Sequence, residues 1–368
     1  MKVVHLITSL KMGGAETALF NMLKQFENKH EHIVIYFHKG PILEKIKILG
    51  IKTYQVQYNL LTIFRLFFLI KKIKPNLIHS ALWSANILGR ITSKLTKISL
   101  ICDYHGPITD QGYFRNLVEI STINIPKQFI AVAKSVEKDF HKFISTKKSA
   151  ITLRNKMVLI QNGIDLNEIN DHIIKQLGFK KENLGFDKDD FIIGSVGRHE
   201  EIKSYQVLIM AFKIFLDNIK TSKAKLCLIG YGSKTVELKS LTKKLSLENQ
   251  ILFTGQRNDA FNFYPTFDCF ALSSKSEGLS IALLEAMAFG LPLISTHNSS
   301  EHDLIIDGKN GFLVKPNNPQ KLAETLLKFY LNPNLKSSMK KANLEIANST
   351  FNIKLAAKRL ETLYQKLK

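Results

Sequence analysis

The stretch SSKSEGLSIALLEAMAFGLP, Ser273 to Pro292, sets a single carboxylate inside an apolar run. Ser280 is suited to cap the start of a helix, Gly290 to sit just past its end, and Pro292 to stop it. Between them stand Ile281, Ala282, Leu283, Leu284, Ala286, Met287, Ala288 and Phe289, interrupted only by Glu285. A helix that is apolar on every side is buried, and a buried carboxylate is costly unless a cation or hydrogen-bond donors meet it. Glu285 is therefore expected to hold something, either the hydroxyls of a ligand or a lysine or arginine from elsewhere in the fold. No basic residue lies within the helix itself.

The strand candidate DCFALSS runs into this helix, and the same strand-to-helix rhythm extends outward in both directions. The second half offers FIIGSVG, AKLCLIGYG, QILFTG, LPLIST and GFLV. The first half offers VVHLITSL, HIVIYFH, PNLIHSA, ISLICDYHG, QFIAVA and KMVLIQNGI, with helical stretches such as ETALFNMLKQF between them. Short apolar strands alternating with amphipathic helices predict parallel sheets covered on both faces. The fold class is thus α/β, with two Rossmann-like, doubly wound domains. A chain of 368 residues exceeds what one hydrophobic core normally supports. The polar, glycine-punctuated stretch 166–190 reads as a linker with a short helix, which divides the chain into 1–168, 169–350 and a basic amphipathic C-terminal helix, 351–368.

Composition narrows the function. Cys102, Cys227 and Cys269 are scattered, with no CxxC or Cys/His cluster, so neither a disulfide framework nor a structural metal is expected, and a reducing cytoplasmic setting fits. The N-terminus MKVVHLITSLKMGG carries no signal-peptide pattern. The longest apolar stretch, Leu60 to Ile70, contains Arg65 and falls short of the ~20 residues that span a bilayer. The net charge is +21, and residues 1–165 hold 24 Lys/Arg against 10 Asp/Glu. That excess suits a phosphorylated substrate or an anionic membrane surface, while solvated lysines on a basic chain are the plain alternative. No RNA-binding aromatic stripe, zinc-finger spacing or basic zipper is present, so nucleic acid is not an expected partner.

In doubly wound sheets ligands bind beyond the carboxyl ends of the strands. After the first strand come Gly13 and Gly14, opening a helix whose N–H groups suit an anion, although a plain tight turn reads the same way. After FIIGSVG come Arg198 and, five residues on, Lys203, a seat for a diphosphate. After DCFALSS come Glu277, Gly278 and Leu279, and Glu285 follows eight residues after Glu277. Carboxylates accept pairs of hydrogen bonds from adjacent hydroxyls, as on a ribose or hexose. No GxGxxG dinucleotide fingerprint opens the chain, which disfavours a nicotinamide enzyme.

Taken together, SEGLSIALLEAMAFGLP, the GGAET loop, QNGID (Gln161–Asp165), VGRHEEIK (Val196–Lys203) and DGKNGFLVKP (Asp307–Pro316) resemble, in this order and over nearly the whole chain, the retaining glycosyltransferases of family 4. These carry a Glu-x7-Glu motif and the GT-B fold, in which two Rossmann-like domains face each other across a cleft. The resemblance implies that Arg198 and Lys203 hold the donor diphosphate and that Glu285 binds the nucleotide ribose. It also implies that Glu277, with Gly278 and Leu279, lies at the donor sugar, that Gly13 and Gly14 lie on the phosphate side, and that His105 in CDYHGP lines the reaction centre. The donor is expected to be a UDP-sugar, with GDP second. No cofactor or metal is expected, and the sequence is read as offering no Asp-x-Asp carboxylate pair.

Three positions depart from the family pattern: Ser299 and Ser300 stand where glycines commonly contact the donor, and Ser204 follows Lys203 in place of a glycine. The acceptor is expected to be a glycan or lipid-linked saccharide in surface polysaccharide synthesis. The stretch YNLLTIFRLFFLIKKIKPNLIH reads equally as a core helix and as a surface for an anionic membrane. The C-terminal helix is expected either to cross back onto the first domain, as is common in this fold, or to pack on the second. Two other functions fit the layout: a non-hydrolysing UDP-sugar epimerase, which would turn over without an acceptor, and a non-catalytic transferase-like partner in a glycan-assembly complex.

Overall fold

A computed structural model of the chain describes residues 1–26, 30–109, 112–145, 147, 149–175, 177–219, 223–297 and 303–367. The chain forms two units, Met1–Gly163 joined by Ile353–Lys368, and Ile164–Asn352. In the first, strands β1 (Lys2–Ser9), β2 (Glu31–His38), β3 (Lys52–Gln55), β4 (Leu77–Ala81), β5 (Ser99–Tyr104), β6 (Gln128–Ala131) and β7 (Met157–Leu159) form one parallel sheet in the order β3-β2-β1-β4-β5-β6-β7. In the second, β8 (Phe191–Val196), β9 (Ala224–Ile229), β10 (Ile251–Gly255), β11 (Cys269–Ala271), β12 (Leu293–Thr296) and β13 (Gly311–Val314) run β10-β9-β8-β11-β12-β13, again all parallel.

Most of these strands are buried along their length, as continuous apolar runs in parallel sheets must be when helices cover both faces, while β7, β10 and β13 are buried only in part. β3 is the most exposed and escaped the sequence reading. Its KTYQ has no apolar run because it is an edge strand, paired only with β2 and largely exposed.

In the second domain, Leu208, Phe212 and Phe215 of the helix Tyr205–Ile219 pack with Leu226 and Leu228 of β9 and with Leu322 and Phe329 of the helix Pro319–Leu331. In the first, Leu360, Leu363 and Tyr364 of the helix Ile353–Lys366 join Val3, Leu77, Ile101 and Ile130 in one core. The last helix thus belongs to the first domain. The stretch read as a linker, 166–190, is instead part of the second domain. The side chain of Asp165 caps the helix Leu166–Ile174, Phe186 is buried, and Lys181 Nζ pairs with Asp268 at 2.9 Å. Among the described residues, no helix is long and apolar enough to cross a membrane.

One glycine fixes how tightly the second sheet packs. A Cβ on Gly194, in the middle of β8, would fall 2.1 Å from the ring of buried Phe267. Gly194→Ala is expected to destabilise the second domain by about 1–3 kcal/mol, the range for overpacking a filled core. Denaturant titration checks this, and an unchanged midpoint would mean that Phe267 can move aside freely.

Candidate functional site

Strand order reverses between β8 and β11, and the turns that leave these two neighbours meet at the carboxyl edge of the sheet. After β8 the chain passes Gly197, Arg198 and His199 and makes a short 3-10 turn, Glu201–Lys203, before the helix Tyr205–Ile219. After β11 it passes Ser273 to Leu279 and enters the helix Ile281–Ala288. Lys203 Nζ forms an ion pair with Glu277 Oε1, and the Ser274 hydroxyl donates to the same oxygen at 2.6 Å. Ser273 Oγ donates to the carbonyls of Lys203 and Ser204 at 3.0 and 2.9 Å, and Thr296, at the end of β12, donates to the Ser274 carbonyl. Hydroxyls thus tie three strand ends together. Lys203 and Glu277 keep only 19% and 11% of their side-chain surface, so each charge depends on the other for compensation.

Ser204 adopts φ +49°, the left-handed conformation glycine favours, which accounts for the glycine expected there. Arg198 stands exposed beside this loop. Its charge reaches Glu200, whose carboxyl is held low first by hydrogen bonds from the Ser233 hydroxyl and backbone N–H and then by Arg198.

Ser280 caps the helix Ile281–Ala288 through Oγ, which accepts from the Leu283 N–H at 3.4 Å, and Gly290 ends it at φ +74°. Glu285 is 8% exposed, and the Tyr264 hydroxyl donates to its Oε2 at 2.5 Å. Burial, and then the charge of Glu285, push the Tyr264 hydroxyl far above its ordinary value, so it stays a donor. Its ring stacks on Phe289 at 5.1 Å. This phenol is neither of the two partners the sequence suggested. It comes from FNFYPTFD, 21 positions upstream, where no local pattern marks it.

The GYG turn after β9 packs backbone on backbone. Gly230 sits at φ +143°, and a Cβ there would lie 1.9 Å from the Gly197 carbonyl oxygen; a Cβ on Gly232 would lie 2.5 Å from that of His199. His199, fully buried, bonds Thr235 Oγ1 through Nδ1 at 3.0 Å, and burial lowers its pKa to about 4. The sequence reading did not single it out.

In the first domain Gly13 is extended at φ −167°, and its missing Cβ makes room for the Glu16 carboxylate, which would otherwise lie 2.4 Å away. Glu16 Oε1 accepts from Ser9 Oγ at 2.5 Å, over the start of the helix Gly14–Gln25. His105 follows β5 and lines a cavity of about 50 Å³ with His5, His79, Asp103 and Asn162. Leu82, at the switch between β1 and β4, holds φ +74°, a strained value for a non-glycine residue that nothing in the sequence announced.

Arg198, Lys203, Glu277, Gly278, Leu279 and Glu285 therefore belong to the second domain, and Gly13, Gly14 and His105 to the first. Lys203 and Glu277 are in direct contact. Ser299 and Ser300 lie outside the described residues. One Asp-x-Asp triplet does occur, Asp187-Lys188-Asp189, but it precedes β8, at the end of the strand opposite to Arg198.

Two doubly wound domains, each with its switch point, are the layout of the GT-B fold. Residues 12–168 match the model for Glycosyltransferase Family 4 and residues 178–345 that for Glycosyl transferases group 1, and the chain belongs to the GT-B glycosyltransferases. It is similar to the Escherichia coli UDP-Gal:alpha-D-GlcNAc-diphosphoundecaprenol alpha-1,3-galactosyltransferase, at 26% identity over 82% of this chain and 78% of that one. It is also similar to the capsular polysaccharide biosynthesis glycosyltransferase CapM of Staphylococcus aureus, at 24% identity over 98% and 89%. HepE of Anabaena, solved with UDP-glucose, shares the fold with a TM-score of 0.85 at 21% identity, covering 99% of this chain and 100% of that one.

Replacing the phenol tests the support of Glu285. Tyr264→Phe removes a donor from a buried carboxylate and is expected to cost about 1–3 kcal/mol of stability. Thermal unfolding of the variant measures this, and an unchanged transition would show that Glu285 does not lean on Tyr264.

Proposed function

We propose that the protein is a retaining glycosyltransferase that moves a sugar from a UDP-sugar to a lipid-linked glycan in surface polysaccharide synthesis. The observation that carries this is the Lys203–Glu277 pair at the switch point of the second domain, with Arg198 on the same loop. A lysine held in place by a carboxylate and the backbone carbonyl ties of Ser273 is preorganised for phosphate, and two more of its ammonium hydrogens can turn to a diphosphate. As the bond to the anomeric carbon breaks, negative charge builds on the leaving UDP, and Lys203 and Arg198 answer it without a bound metal. Glu285, fixed by Tyr264 through Oε2, is poised to accept from ribose hydroxyls. Glu277, with Gly278 and Leu279, takes the donor sugar; Gly13 and Gly14 line the phosphate side, and His105 lines the reaction centre. Retention then follows from attack by the acceptor hydroxyl on the face the nucleotide leaves.

UDP as the nucleotide is supported by the donor in the name of the Escherichia coli relative, and a lipid diphosphate acceptor by the same name. CapM supports a role in surface polysaccharide.

Thermal-shift measurements with UDP, GDP, ADP and NAD⁺ check the donor. UDP at ~100 times its dissociation constant should add about 2.7 kcal/mol, and Glu285→Ala should abolish the response. Lys203→Ala and Arg198→Ala should each lower turnover at least about 100-fold, a loss of ~3 kcal/mol. Turnover of a UDP-sugar without acceptor would favour the epimerase, and wild-type rates in either variant would overturn the diphosphate role.

We propose in addition that the enzyme works on the inner face of the membrane. The helix Thr62–Ile73 buries Leu66, Ile70 and Ile73 in the first domain, while Phe64 and Phe68, 61% and 67% exposed, stand beside exposed Arg65, Lys71 and Lys72. Apolar rings interleaved with cations suit anionic lipid. The protein should sediment with phosphatidylglycerol vesicles at low salt, and Phe64→Ser with Phe68→Ser should release it. A protein that stays in the supernatant would refute the membrane contact.

A further inference from the structure

A chain of polar groups crosses the core of the first domain from the last helix to His105. Tyr364 Oη lies 2.6 Å from His79 Nδ1, and His79 Nε2 lies 2.6 Å from Asp103 Oδ1. The other carboxylate oxygen, Asp103 Oδ2, lies 3.8 Å from His105 Nε2. His79 and Tyr364 are buried, and Asp103 keeps 15% of its side-chain surface.

We propose that Tyr364, His79 and Asp103 are positioning residues that fix the ring and tautomer of His105. The direction of each hydrogen bond follows from the groups at its ends. Burial, and then the charge of Asp103, raise the Tyr364 hydroxyl far above its ordinary value, so Tyr364 donates to Nδ1. The proton of the His79 ring is then on Nε2 and goes to Asp103. Burial alone would push the Asp103 carboxyl up, but the neighbouring ring of His79 and then that of His105 outweigh it and hold it at about 2. Asp103 is thus an acceptor on both oxygens. Its Oδ2, 3.8 Å away, attracts the N–H of His105 to Nε2. The lone pair of His105 is left on Nδ1, on the far side of the ring from the carboxylate, where it can accept from a sugar hydroxyl.

His5 does not compete for Asp103. His5, with its ring 5.6 Å from that of His79, bonds His32 Nδ1 through Nε2 at 2.9 Å, and burial pushes its pKa well down. The sequence separation is large: Tyr364 stands 285 positions from His79. The last helix therefore contributes a hydrogen bond, beyond its apolar contacts, to the side of the domain that carries His105.

The kinetic part of this inference rests on the reading that His105 lines the reaction centre, whereas the tautomer part does not. Long-range ¹H–¹⁵N spectra of the full chain, with His105 assigned by its loss in His105→Gln, should show the Nε2–H form in the wild type. In Asp103→Asn, and more weakly in Tyr364→Phe, the ring nitrogens of His105 should move toward a tautomer mixture. Turnover of Asp103→Asn should fall about 10–100-fold at an unchanged KM for the donor, the range for losing a group that orients a working side chain. Unmoved His105 nitrogens in both variants would overturn the relay whatever the activity. If Asp103→Asn does not fold, Tyr364→Phe reads the same chain from its other end. Moved nitrogens with wild-type turnover would uphold the relay and remove His105 from the reaction centre.

Discussion

The second domain depends on the pairing of β11 with β8, Cys269 beside Ile193 and Phe270 beside Gly194. A parallel strand cannot pair with its predecessor through a tight turn, so the chain after β8 first builds β9 and β10 on one side and then returns across β8 to start the other. The two turns leaving β8 and β11 are thereby forced into contact, although 74 positions separate Lys203 from Glu277. The Ser273 and Thr296 hydroxyls then hold backbone carbonyls of these turns in place. Gly194 has no side chain because Phe267, just ahead of β11, occupies that space. Packing at the middle of the strands and charge at their ends answer to one strand crossing.

The architecture was legible wherever burial is continuous. Among the described residues, twelve of the thirteen strands announce themselves as apolar runs, and β3 does not, because an edge strand has one neighbour and an exposed face. The helix holding Glu285 was readable to the residue, since Ser280 and Gly290 act through local backbone geometry. Partners from distant segments were not readable. Tyr264 meets Glu285 only through the tertiary fold, and His79 meets Tyr364 across almost the whole chain. Nothing in the sequence showed that Gly230 and Gly232 let Gly197 and His199 approach. The stretch 166–190 looked like a linker because its surface is polar, yet Lys181 and Phe186 fasten it to the second domain.

The two domains handle buried polarity differently. In the second, the charged pair sits at the rim, partly accessible and built from one lysine, one glutamate and short hydroxyl contacts. In the first, charge goes deep. Arg90 is fully buried and meets Glu119 at 2.5 Å, with Tyr104 and Thr122 accepting from its other terminal N–H groups, a structural cluster that locks two helices and β5 together. Beside it the His79–Asp103 pair is nearly as deep but opens at one end onto His105 and the cavity. A buried ion pair contributes little net stability, because desolvation offsets its attraction, but it penalises every arrangement in which one partner is missing. Both networks therefore specify geometry more than they add stability.

The first domain is discontinuous: its core is closed by Leu360, Leu363 and Tyr364, which follow the whole second domain in the chain. During synthesis the described strands of that domain emerge before the second domain, yet Val3, Leu77 and Ile101 lack Leu360, Leu363 and Tyr364 until the helix Ile353–Lys366 leaves the ribosome. The second domain, Ile164–Asn352, is one uninterrupted segment whose ends meet in a parallel bridge between Ile164 and Asn352, so it can complete itself beforehand. Vectorial translation thus inverts the order of the domains along the chain, and the half made first is the half that must wait.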